Sequence, residues 1–254
     1  KIYRNCLSME FIKNIFIKYL KYIGQETGYK RNKKVENLLP RKENAIYLDI
    51  GCGDGELTKK RAKVIGTENM YGIEVLDSEI KKARDKNIVA EKTDLNKKLP
   101  FESNIFDVIT ATQVIEHLYD VDIFVSEMHR VLKKGGILII STENLSAWHN
   151  IFALILGIQP SAGPFISNKF SIGFHPLSKE HEKDHVANPY LKEMIGHTRV
   201  MAYNSFRKLF ENYDFEVISE EGVGYYPFPS VISDFFAKVD RWHALDMILK
   251  LKKV

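Results

Sequence analysis

The sequence predicts a doubly wound α/β fold, in which helices cover both faces of a parallel sheet. Three observations carry that expectation. From Ala45 onward, short apolar segments of strand length alternate with amphipathic segments of helix length. Three closely spaced glycines join the first such strand to the first such helix. Finally, 254 residues with 44% apolar and 28% charged side chains make an ordinary globular balance, enough for one large domain.

That balance excludes a disordered chain, whose apolar content could not offset chain entropy. The longest apolar run, Ile151–Ile158, is far short of the roughly 20 residues a membrane-spanning helix needs. No segment has a signal peptide's order of basic, apolar and small-residue regions, so a cytoplasmic, unexported protein is expected. Two cysteines, Cys6 and Cys52, are too few for a disulfide framework or a zinc site. The net charge of +4 is unevenly spread, with eleven Lys/Arg against four Asp/Glu in residues 1–44. Such a segment suits nucleic acid, acidic lipid or an anionic substrate, or is simply a solvated helix face.

Taken in order, Met9–Ile23 has apolar residues at three- and four-residue spacing and reads as an amphipathic helix. Lysine-rich Tyr29–Asn44 reads as a linker ending near Pro40. Strands are expected at Ala45–Ile50, Met70–Glu74, Asn87–Lys92, Phe106–Ala111 and Ile137–Ser141. Helices fit Glu56–Ile65, Ser78–Lys86 and Asp120–Leu132, with Asp77 or Ser78 as an N-cap. Residues 143–200, too long for an αβ connection, read as an insertion over the active face. A helix at Asn204–Tyr213, a strand near Phe215–Glu220 and a last strand at Met247–Lys252 complete the pattern. The expected organisation is a helical cap and basic linker over 1–44, then one domain over 45–254.

The glycine loop runs Tyr47-Leu-Asp-Ile-Gly-Cys-Gly-Asp-Gly-Glu56. Gly51 can take a tight turn, Gly53 lets a ligand approach the backbone, and Gly55 allows close helix packing. Sheets of this kind bind ligands beyond the carboxyl ends of their strands, where this loop falls. Its G-x-G-x-G spacing is one residue too short for the dinucleotide fingerprint G-x-G-x-x-G, and no G-K-[ST] ending marks a nucleoside-triphosphate loop. Glu74 ends the next strand about 20 residues on, where a carboxylate can accept both ribose hydroxyls. Asp94, after the third strand, can reach an adenine amino group.

Asp49-Ile-Gly-Cys-Gly-Asp-Gly55, Gly72-Ile-Glu74, Asp94-Leu95, Phe106-Asp-Val-Ile109 and Leu132-Lys-Lys-Gly-Gly-Ile137 occur in that order. Over about residues 45–141 the set resembles class I S-adenosylmethionine-dependent methyltransferases, and is similar to the small-molecule enzymes of quinone biosynthesis. The resemblance implies a Rossmann-like, seven-stranded, mostly parallel sheet with an antiparallel last strand. It implies S-adenosylmethionine as cofactor, with Gly51, Cys52, Gly53 and Gly55 along its methionine moiety. Asp49 orients the loop or the cofactor's amino group, Glu74 holds the ribose, and Val75 packs on the adenine. Asp94 and Leu95 bracket the adenine edge, while Thr112 and Gln113 meet the methionine end.

A hydroxyl acceptor must lose a proton during methyl transfer, and histidine is the usual agent near neutral pH. His117, in Gln113-Val-Ile-Glu-His-Leu118, falls just beyond the fourth strand, and Glu116 and His117 are the candidate catalytic pair. The structural alternative is a helix-start carboxylate and a hydrogen-bonded histidine. Quinone-biosynthesis O-methyltransferases and small-RNA 2′-O-methyltransferases have a similar E-x-x-E-H motif that can hold magnesium. Here Gln113 replaces the first acid, and Glu116 and His117, with His197 added, make a poor hard-cation site, so no metal is expected. His175, His181 and His185 do not repeat a zinc spacing and read as lid or surface histidines.

Trp148, Phe152, Leu154, Ile155 and Leu156 suit either a greasy lid over an apolar acceptor or a cap helix burying its apolar side on the sheet edge. Tyr225-Tyr-Pro-Phe-Pro229 is either an aromatic wall for a flat substrate or a loop packed by its own rings. The expected function is methyl transfer to a small molecule, at a hydroxyl oxygen. RNA or protein acceptors, and a non-catalytic or nicotinamide-binding domain, are the alternatives. No RNA-binding module or basic-aromatic stripe follows the first 44 residues, whereas contact of the basic N-terminal segment with a membrane surface stays open.

Overall fold

The computed structural model describes residues 2–164, 166 and 196–254. His175, His181 and His185 lie outside the described residues, as does most of the 143–200 insertion.

After helix α1 (Ile2–Leu38) the chain alternates β1 (Tyr47–Ile50), α2 (Glu56–Ile65), β2 (Met70–Glu74), α3 (Asp77–Arg84) and β3 (Val89–Lys92). It continues through β4 (Phe106–Thr112), α4 (Val121–Val131), β5 (Leu132–Glu143) and α5 (Trp148–Ile155). Helix α6 (Tyr203–Glu211), β6 (Phe215–Val223), α7 (Ser230–Val239) and β7 (Asp246–Lys253) complete it. One seven-stranded sheet has the order β3-β2-β1-β4-β5-β7-β6. Strand β7 alone runs antiparallel to its neighbours, β5 and β6.

Alternate side chains of each central strand enter opposite cores, as a pleat requires. Leu48, Ile109 and Leu138 face one core, with Phe124 and Met128 of α4 and Phe206 and Phe210 of α6. Tyr47, Val108 and Ile139 face the other, with Ala62 and Ile65 of α2, Ile80 of α3 and Val35 of α1. The strands are buried on both faces, which explains their near-continuous apolar sequences. The chain leaves β1 toward β2 on one side and returns at β4 on the other. The resulting switch point, between the carboxyl ends of β1 and β4, is where such sheets bind ligands.

The lysine-rich stretch is not a linker, because α1 continues to Leu38. Its cations pair with the body of the domain: Lys30 with Asp234, Arg31 with Asp246 and Lys34 with Glu221. Val35 is fully buried among them.

A cap helix burying its apolar side is also overturned. Helix α5 buries His149, Asn150 and Ala153 and leaves Trp148, Phe152, Leu154 and Ile155 exposed. Tyr225 stacks on Phe236 of α7 at 5.4 Å and donates its hydroxyl to Asp240, and Tyr226 lies 5.2 Å from His149, so the loop's rings pack on α7 and α5.

Candidate active site

Backbone geometry at the end of β1 requires glycine. Gly51, Gly53 and Gly55 have φ of 73°, 53° and 83°, the left-handed region that side chains rarely adopt. At Gly55 a Cβ would also overlap the Ile88 side chain, whereas at Gly53 nothing lies within 4 Å. Gly53 is therefore the open floor of the loop, where a ligand can rest on backbone. A Cβ on Gly72 would lie 2.6 Å from Cys52 Sγ, so that glycine lets the loop cross β2. Burial pushes the Cys52 thiol up to about 12, which leaves it neutral and a packing group.

Asp49 is buried beneath the loop and fully engaged. It accepts from Thr58 Oγ1 at 2.7 Å, Thr110 Oγ1 at 2.6 Å and Arg61 Nη1 at 3.0 Å. Of its two expected roles, this geometry serves the first: the carboxylate braces the loop against α2 and β4. Arg61 is itself buried and reaches on to Thr112 Oγ1 at 2.9 Å.

Glu74, at the tip of β2, is held by three backbone amides. Gly53 N donates to one oxygen at 3.0 Å, and Val75 N and Leu76 N donate to the other at 2.7 and 3.2 Å. The carboxylate thus joins the glycine loop to the next loop in a fixed orientation. Val75 beside it is half-exposed, an apolar platform.

Asp94 lies further out. It accepts from Asn96 N and Nδ2, both at 3.0 Å, and these bonds hold its carboxyl below the usual carboxylate range. Asn96 Oδ1 in turn accepts from Tyr119 N and Asp120 N, tying this turn, with buried Leu95, to the loop after β4.

Between β1 and β4 an open cleft of about 250 Å³ is lined by Asp49, the loop glycines, Thr112 and Gln113. Arg31 and Asn32 of α1 close it from above, two residues that sequence reasoning missed because they sit inside a stretch that reads as linker. Gln113 has φ 55°, and its buried Nε2 has no hydrogen-bond partner among the described residues. An orphaned donor beside an open glycine floor suits a polar ligand group, so these residues fit the methionine end of S-adenosylmethionine.

Beyond the cleft, a 3-10 turn at Ile115–His117 brings three ionisable groups together. Glu116 is buried, accepts from Thr142 Oγ1 at 2.9 Å, and is pushed up to about 7, chiefly by burial. His197 returns from the end of the insertion, with Nδ1 2.8 Å from Ala162 O and 3.3 Å from Glu143 Oε2. Burial opposes its charge, yet the Glu143 carboxylate prevails and raises it to about 9. The His117 and His197 rings meet at 5.0 Å. Thr198 N and Arg199 N donate to Glu116 O at 2.8 and 3.2 Å, fastening the insertion's return to the turn.

Glu116, His117 and His197 can place ligand atoms within 4.8 Å of one another. Two imidazoles and one carboxylate are a poorer set for magnesium, which takes oxygen ligands, than for a softer divalent ion.

Comparison with known proteins gives the family and the fold. A family described as a methyltransferase domain matches residues 22–220. A ubiquinone biosynthesis O-methyltransferase of Pelagibacter ubique is 31% identical over 145 residues, covering 54% of this chain and 55% of that protein. The ubiquinone/menaquinone biosynthesis C-methyltransferase UbiE of Psychromonas ingrahamii is 32% identical over 163 residues, covering 59% and 63%. The chain thus spans less than two thirds of either relative. An S-adenosylmethionine-dependent methyltransferase from Mesorhizobium loti shares the fold, with a TM-score of 0.60 at 17% identity over 87% of this chain and 96% of that one.

Proposed function

The chain belongs to the methyltransferase-domain family, and from that premise we propose that it transfers the methyl group of S-adenosylmethionine to a hydroxyl oxygen of a small molecule. The observation that supports this most is the pairing of two sites on one edge. The glycine loop and amide-held Glu74 make a cradle for a nucleoside and its methionine tail, and His117 lies just past β4 on the same side. The catalytic unit is residues 45–254 with the insertion at 143–200, and α1 caps the cleft through Arg31 and Asn32.

Bound in the cradle, S-adenosylmethionine supplies an electrophilic methyl group on a sulfonium centre. Glu74 would accept the ribose hydroxyls, Val75 would pack on the adenine, and Asp94 with Leu95 would bracket its edge. Thr112 and Gln113 orient the methionine end. His117 would hold the acceptor hydroxyl and take up its proton, while the bound cofactor would supply the methyl group. Holding nucleophile and methyl in line supplies much of the rate. Glu116 and His197 position the turn that carries His117: Glu116 through Thr142, and His197 through Glu143 and Ala162.

The test combines binding with transfer. Calorimetry should detect S-adenosylmethionine and no NAD, and Glu74→Ala should lower that affinity by tenfold or more, since hydrogen bonds to charged groups contribute about 1.5–3 kcal/mol. Unchanged affinity in Glu74→Ala sinks the site assignment. Radiolabelled methyl transfer into fractionated cell extract then separates small-molecule from RNA and protein acceptors. Equal single-turnover rates in His117→Ala and wild type across pH return His117 to a structural role.

A further inference from the structure

The end of the sheet remote from the glycine loop carries a second cavity, of about 270 Å³, at the amino ends of β4 and β5. Two segments distant in sequence supply its walls. Arg41 and Lys42 lie in the loop between α1 and β1, and Lys133, Lys134 and Gly135 belong to the start of β5. Asp107 of β4 is the one acid among the lining residues. Four cations thus converge on one carboxylate.

That carboxylate is already engaged. Asp107 Oδ1 accepts from Lys42 Nζ at 2.7 Å, and Oδ2 accepts from Ile46 N and Lys133 Nζ, both at 2.9 Å. Burial opposes its charge, yet these donors hold its carboxyl below the usual carboxylate range. An ammonium has three N–H groups, so Lys42 and Lys133 each give one to Asp107 and keep two. Arg41 and Lys134 are exposed and have no hydrogen-bond or ion-pair partner among the described residues. Glu43, the next acid in the loop, packs beside Gly66 and is not part of the lining.

Cations are also favoured at the carboxyl ends of helices, and α1, α2 and α4 end on this side of the sheet. Each helix end contributes roughly half a negative charge. Even with these and Asp107 counted, four cations leave a positive excess. The wall at Gly135 is open as well: its φ is 75°, and nothing lies within 4 Å of where a Cβ would stand.

We propose that this cavity binds the phosphate group of a small ligand, held by Arg41 and Lys134 together with the spare donors of Lys42 and Lys133. A guanidinium fork can meet two phosphate oxygens at once, and ammonium groups act as point charges around the others. A carboxylate would bring a single charge, whereas a phosphate dianion matches the excess. The cavity lies just below the range of about 300–1,000 Å³ usual for small-ligand pockets, which leaves room for a phosphate and a small substituent. Arg41 stands just after α1, so a bound phosphate would tie the root of that helix to β5.

Calorimetry of the full chain in phosphate-free buffer tests this, with inorganic phosphate and ribose 5-phosphate as probes. Binding should be saturable and should weaken as salt is raised. Arg41→Gln combined with Lys134→Gln should weaken it by about tenfold or more, because charge-assisted hydrogen bonds are lost. Neither side chain pairs with Asp107, so circular dichroism, melting temperature and S-adenosylmethionine affinity should match wild type. Lys59→Gln combined with Lys208→Gln removes two exposed charges that do not line the cavity, and should change phosphate affinity by less than about twofold. Tighter binding of ribose 5-phosphate supports an esterified phosphate as the ligand, and tighter binding of inorganic phosphate supports the free ion. Absence of saturable binding by both probes overturns the proposal. Equal weakening by the two double variants overturns it too, since that reduces the effect to diffuse surface charge. So does single-stranded RNA that binds through Arg41 and Lys134 and is displaced by neither probe, which would assign these cations to a polyanion.

Discussion

Arg61→Met tests whether the cofactor loop is braced by a buried ion pair. Arg61 and Asp49 are both almost fully buried, and their contact is 3.0 Å. Methionine keeps most of the stem volume and removes the charge. Asp49 then retains only Thr58 and Thr110 as side-chain donors, with no counter-ion. Breaking a buried pair on one side costs about 3–5 kcal/mol, because the remaining charge is uncompensated. A domain of ordinary stability, about 5–15 kcal/mol, stays folded through such a loss, so urea unfolding can measure it. Adding Asp49→Asn removes the stranded charge, and the double variant should recover at least half of the loss. Because Asp49 lies two residues before Gly51, Arg61→Met should also weaken S-adenosylmethionine binding. A loss below about 1 kcal/mol for Arg61→Met, or a double variant as unstable as the sum of the singles, would refute the bracing argument.

Three further outcomes follow from the same geometry. Gly55→Ala meets both a positive φ and the Ile88 side chain and should cost about 1–3 kcal/mol; an unchanged melting temperature contradicts this. His197 is raised to about 9, so its pairing with Glu143 stabilises the fold fully below about pH 6.5 and is lost as pH rises through 9. Glu116, raised from 4.5 to about 7, contributes an earlier decline, as pH rises from about 4.5 through 7. His197→Gln should flatten the stability curve between about pH 6.5 and 9, whereas variant and wild-type curves that run parallel show the pair to be unimportant. Methyl transfer should persist after dialysis against EDTA; activity that is lost and then restored by manganese would make Glu116, His117 and His197 a metal site.

The fold was legible where local pattern and global packing agree. Leu48 and Ile50 alternate with Tyr47 and Asp49, and both faces of that strand are buried, so an apolar run bounded by glycines sufficed. Glu74 was legible because a carboxylate at the end of the second strand has one place to go, although its three amide donors were not visible in the sequence. What escaped was whatever depends on distant partners. Arg31 and Lys34 look like a solvated linker until Asp246 and Glu221, nearly the whole chain away, return beside them.

Helices α5 and α7 escaped for a different reason. Periodicity reports that a helix has an apolar stripe, and it assumes that the stripe faces the core. In α7, Ser233 and Ala237 occupy the core side because α7 packs closely on its neighbours, and small residues permit that approach. The large side chains are left exposed among the described residues. Polarity that contradicts burial in two helices joined through Trp148 is thus a positive signal, unlike a single exposed leucine. It lies on the edge of the sheet that carries the glycine loop.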